Sequence, residues 1–123
     1  QMGYQAIALK PIAKTLSMSL LMAKTAASEG IPCFCADLTV NPIMVDWNKN
    51  VAARLEPLPG MNIGVLEVNG PQNYKNWGAM ESHHPYSEGT WVKMHNGLFQ
   101  LDDDFYKNSG GIFEISDYYL SIV

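Results

Sequence analysis

Three ionisable residues stand at matching places in an otherwise apolar pattern. Lys10 closes the run Ala6-Ile7-Ala8-Leu9, Asp37 closes Ile31-Pro32-Cys33-Phe34-Cys35-Ala36, and Glu67 follows Ile63-Gly64-Val65-Leu66. A buried run excludes lysine unless the ammonium is paired or used, because an unpaired buried charge is costly. The plain alternative for Lys10 is emergence into water at the end of its run, with the stem lying along apolar surface. One such residue is noise, whereas three in register at one rim point to a site where a proton is moved or an anion is held.

The elements that must position these residues follow from the stretches between them. "TLSMSLLMAKTAASEG" offers Thr15 or Ser17 as a cap, a stripe of Leu16, Leu20, Ala23 and Ala27, and Gly30 as a stop, which predicts an amphipathic helix with that stripe buried. "NPIMVDWNKNVAARLEPLPG" places Asn41 to cap and Pro42 in the first turn, with Ile43, Trp47, Val51 and Leu55 recurring every four residues. The order is β-α-β-α-β, with strands expected near residues 6–10, 31–37 and 62–68. Strands joined by helical crossovers run parallel and right-handed, so all three end at one rim, and that is the rim where α/β sheets bind ligands.

Composition bounds the alternatives. A chain of 123 residues has room for one domain with a real core. Twelve acidic against eight basic residues give a net charge of -4 and a pI near 5.2, and no Lys/Arg cluster forms a stripe, which disfavours nucleic acid. No apolar run approaches a membrane span, no secretory leader is evident, and a cytoplasmic location is expected. Cys33 and Cys35 lie at i and i+2, without the spacing of a redox or zinc motif, and read as reduced core residues in a reducing compartment.

From Pro71 the pattern changes. "PQNYKNWGAMESHHPYSEGT" reads as loop, with His83 and His84 in a solvated turn rather than a metal site. Asn96-Gly97 between two alternating runs predicts a hairpin, and "DDDFYKNSGG" predicts a short helix with acidic residues at its start and glycines at its end. Gly-rich phosphate loops are absent from the sequence.

The run "ALKPIAKT", a helix, "GIPCFCADLTVNP", a helix and "NIGVLEVNG" resembles the sixth to eighth β/α units of the enolase superfamily barrel, in its mandelate racemase and muconate lactonising branch. The resemblance covers about residues 5–80. It implies an α/β fold class in which residues 1–80 are the βαβαβ portion of a modified β/α barrel and residues 81–123 are a loop and hairpin extension packing on barrel or capping domain. It also implies an isomerase or lyase that takes a proton α to a carboxylate, with a magnesium-stabilised enediolate. Lys10 matches the family's acid/base lysine, Glu67 matches a glutamate near the substrate, and Asp37 carries over as a pocket residue, since "CADLT" lacks the histidine of racemase-like members.

A lysine base working near neutral pH needs a lowered pKa, and Lys14, four residues on, is the candidate second cation. The family's magnesium ligands lie on strands outside this sequence, so no metal ligand is expected among these residues. The resemblance further implies a C-terminal fragment, inactive alone, with Gln1 at a cut or cloning boundary. Its expected partners are a carboxylate-bearing small molecule, the remainder of its own barrel and capping domain, and further copies of itself. Two rivals stand beside it: a small standalone α/β anion-binding module, and a structural or interaction protein whose rim charges merely pair.

Overall fold

The computed structural model describes residues 3–122, so the reading of Gln1 lies outside the described residues. The chain divides into two compact units, each treated separately below. The first takes the chain up to Leu38 together with Asn48–Val68, and the second takes Thr39–Trp47 and the chain from Asn69 on.

The first unit is built on a parallel three-stranded sheet in the order β1-β2-β3, where β1 is Ile7–Leu9, β2 is Cys33–Ala36 and β3 is Leu66–Glu67. Ile7 pairs with Cys33, Leu9 with Cys35, Cys35 with Leu66 and Ala36 with Glu67. Between β1 and β2 runs α1, Leu16–Ser28, started by Thr15, whose side chain accepts from the Met18 N–H, and stopped by Gly30 at a φ of 67°. The capping chemistry is the expected one.

The buried stripe of α1 is not the expected one. Ser19 and Ala26 are buried, Met22 and Ala23 pack with Leu9 and Cys33, and Leu16 and Leu20 stand 37% and 52% exposed. Small side chains let the helix lie close on a narrow sheet, and the leucines are rotated to its flank. The helix α2, Pro42–Ala52, starts with the Asn41 side chain accepting from the Met44 N–H. Its final residues Val51 and Ala52 pack with Cys35, Leu55 and Leu66 in the first unit's core. The third strand is shorter than expected, Leu66–Glu67, with the Val65 carbonyl also accepting from the Cys35 N–H at 3.0 Å, and Gly64 lies so close to Ala52 that a Cβ would run into its carbonyl.

In the second unit the expected loop contains two short helices, α3 (Gly70–Asn73) and α4 (Trp77–Ser82). Pro71 suits the first turn of α3, and Gly70 touches the Trp77 ring so closely that no side chain fits there. Asn96 and Gly97 take φ values of 50° and 79°, and His95 and Leu98 exchange both backbone hydrogen bonds at 2.9 Å. The turn is present, but its arms reach only this one bridge and form no strand. The helix α5, Asp103–Asn108, follows Asp102 as cap, then a 3-10 turn at Ser109–Gly111, and α6 is Asp117–Ser121. Trp91, Val92 and Phe105 form this unit's core, with Tyr86 and Leu101 packed on it. No helix among the described residues is long and apolar enough to cross a membrane.

Candidate functional site

Register determines which strand-end residues share a face. Leu9, Cys35 and Leu66 are laterally paired and pack under the helices. Side chains alternate along a strand, so Ala36 and Glu67 belong to the opposite face. Carried one residue past β1, the same alternation puts Lys10 on that face, level with Ala36. Lys10 and Glu67 therefore flank Ala36 on the face away from α1, two strand spacings or about 10 Å apart.

Lys10 is half-buried, and its Nζ donates to the backbone carbonyl of Asp37 at 3.2 Å. Its own carbonyl accepts from the N–H groups of Ala13 and Lys14, closing the turn that Pro11 begins. Asp37 is 3% exposed, and alternation assigns its side chain to the face opposite Lys10; the lysine meets the aspartate's backbone, not its carboxylate. Glu67 is exposed at the end of β3. Lys14 is exposed immediately before the Thr15 cap, within the turn that follows Lys10. Lys10 and Glu67 thus share a face, Asp37 contributes a carbonyl to Lys10, and Lys14 stands in solvent beyond them.

This arrangement suits an anion. The Lys10 ammonium, held by a backbone carbonyl, is the positive group an anion would meet. Among the described residues no group of three or more His, Cys, Asp or Glu side chains comes together to hold a metal.

The cysteines of β2 lie in the core as reduced thiols, Cys35 fully buried and Cys33 at 7% exposure. Burial pushes both thiols up, Cys35 to about 12 with the charge of Cys33 adding to the effect.

Sequence reasoning missed a second constellation. His84 was expected in a solvated turn but is 4% exposed, its Nε2 2.9 Å from Asp46 Oδ2. His83 behaves as expected of a surface residue, exposed and stacked on Tyr118 with ring centroids 4.1 Å apart. The only sequence signal for the pairing is that α2 carries Asp46 between apolar Val45 and Trp47, where a carboxylate needs a partner. Beside these residues Pro85–Trp91, Asp102, Asp104 and Asn108 line a depression of about 590 Å³.

These features define an α/β chain with a small three-stranded parallel sheet, Lys10 just past the end of β1 and Glu67 at the end of β3. Compared with protein-family models, curated proteins and solved structures, the chain matches none.

Proposed function

We propose that the chain forms the sixth to eighth units of a β/α-barrel isomerase or lyase similar to the mandelate racemase and muconate lactonising branch, with Lys10 as its proton-transfer residue. The carrying observation is the register: Leu9 pairs with Cys35 and Ala36 with Glu67, and alternation carried one residue past β1 assigns Lys10 to the face of Ala36 and Glu67, away from α1. In a closed barrel that face is the interior, and the C-terminal rim is where substrate sits.

On this reading the substrate is a small carboxylate. Its carbon acid loses the α-proton to the Lys10 amine or regains it from the ammonium, giving racemisation, cycloisomerisation or dehydration according to the leaving group. The Asp37 carbonyl orients Lys10, and Glu67 lines the far side. Lys14 adds positive potential at the mouth. Any magnesium ion belongs to residues beyond these, with the rest of the barrel and its capping domain as partners in a cytoplasmic oligomer.

A second reading is favoured by the same 3.2 Å bond: Lys10 ties β1 to the end of β2 and has no part in chemistry. Lys10→Met in the barrel enzyme containing this chain separates the two. The first reading expects exchange of the substrate α-proton with deuterated solvent to fall by about 1,000-fold or more with the melting temperature nearly unchanged. Retained exchange, or a loss of stability that accounts for the loss of rate, establishes the second.

A further inference from the structure

Asp46 and His84 belong to the second unit and take no part in the chemistry proposed above. The His84 ring is fully enclosed, with Nε2 2.9 Å from Asp46 Oδ2. Its other nitrogen, Nδ1, accepts the backbone N–H of Tyr86 at 3.0 Å. A nitrogen that accepts has no proton, so the ring's single proton sits on Nε2, the nitrogen 2.9 Å from the carboxylate oxygen.

Two glycines close over the pair. Gly110 and Gly111 have φ values of 73° and 97°, and a Cβ on the first would stand 2.9 Å from Asp46 Cβ. A Cβ on the second would stand 2.9 Å from the Tyr86 ring and 3.4 Å from His84 Cε1. The Gly110 carbonyl accepts from Trp91 Nε1 at 3.2 Å, tying this turn to the unit's core.

We propose that the Asp46–His84 pair is a protonation latch on the 84–86 turn. A second proton taken from solvent must go to Nδ1, and there it confronts the Tyr86 N–H. The doubly protonated ring and the closed turn exclude one another. Asp46 stabilises the imidazolium, so the ion pair persists while Tyr86 releases its N–H to water and the turn opens. Pro85, Tyr86, Ser87, Glu88 and Gly89 form one wall of the 590 Å³ depression, and opening reshapes that wall.

The neighbouring tyrosines stay neutral and take no part in this proton exchange. Tyr119 on α6 is held as a neutral phenol: burial first, then the charges of Asp46, Tyr118 and Glu81, push its pKa up, and its hydroxyl donates to the Met80 carbonyl at 2.6 Å. Tyr86 is likewise pushed up, by desolvation and then by Glu114, which accepts its hydroxyl at 3.4 Å, and by Asp104. The 3-10 turn brings Gly111 beside the ring, and on α4 and the segment after it the neighbouring ionisable groups in sequence are Glu81 and His83. Asp46 is therefore the carboxylate in contact with the His84 ring.

The test uses the 123-residue chain itself. Nitrogen-15 shifts of the His84 ring at neutral pH are expected to report the Nε2–H tautomer. Hydrogen exchange at the Tyr86 amide, corrected for its intrinsic pH dependence, is expected to lose protection about tenfold or more between about pH 7.5 and pH 5. His84→Asn keeps an acceptor for the Tyr86 N–H but does not titrate, and is expected to hold its protection across that range. An Nδ1–H tautomer, unchanged protection in the unsubstituted chain, or the same acid step in the folded variant overturns the latch. The first two measurements decide the matter even where His84→Asn does not fold.

Discussion

Cys35 sits at 0% exposure on β2, and its thiol is pushed up to about 12, by burial first and then by Cys33. The thiolate is the reactive form, so the folded chain is expected to react with a disulfide reagent at about pH 8 on the order of a thousandfold more slowly at Cys35 than a free thiol does. Stopped-flow labelling with and without denaturant checks this, and fast labelling of the folded chain contradicts the burial. Gly110 is constrained both by its backbone and by its neighbours. Its φ is 73°, and a Cβ would stand 2.7 Å from the Phe105 ring and 2.9 Å from Asp46 Cβ. Gly110→Ala combines a left-handed backbone with overpacking and is expected to cost about 2–4 kcal/mol in urea unfolding. A loss within about 0.5 kcal/mol would mean that the turn shifts freely.

At the scale of the element, α5 depends on Asp102. Its Oδ1 accepts the Phe105 N–H at 2.9 Å, and its Oδ2 accepts the Thr90 hydroxyl at 2.6 Å. The Thr90 bond first, then the Phe105 N–H, holds the carboxyl below its ordinary range. The folded pKa thus lies below the unfolded one. The contribution to stability is present in full above the unfolded pKa and is lost as pH falls through the folded pKa. Asp102→Asn removes that linkage, so the variant's stability is expected to fall less steeply than the parent's between about pH 6 and pH 3. Parallel curves from melts across that range would place the acid sensitivity elsewhere.

At the scale of the whole molecule, apolar surface is the salient feature. Met18, Leu20 and Leu21 on α1 are 48%, 52% and 57% exposed, and Phe113, Ile115 and Leu120 in the second unit are 78%, 84% and 66% exposed. Contiguous apolar patches recruit other chains. Sedimentation at micromolar concentration is expected to give a mass above the 13.6 kDa of one chain, reduced by Leu20→Glu combined with Leu21→Lys. A monomer at that concentration would show that these side chains are tolerated in water and would remove the expected self-association.

The local elements were legible in the sequence because their causes are local. Thr15 and Asn41 cap, Gly30 stops α1, Asn96-Gly97 turns the chain and Asp102 starts α5, each through bonds or dihedrals within a few residues. Strand order was legible for the same reason, since crossover length requires parallel pairing. The face of α1 was not, because Leu16 and Ser19 differ only by which side of the helix the sheet selects, and a narrow sheet selected the small residues. Nor was the partner of Lys10: periodicity places the lysine at the rim, but only register and alternation direct it to the carbonyl of Asp37 and to the face of Glu67. The Asp46–His84 pair was least legible of all. Its members are thirty-eight positions apart in sequence, 46 to 84, and only the folding of the 84–111 segment onto the first half of α2 encloses them, removing the water that makes a histidine ordinary.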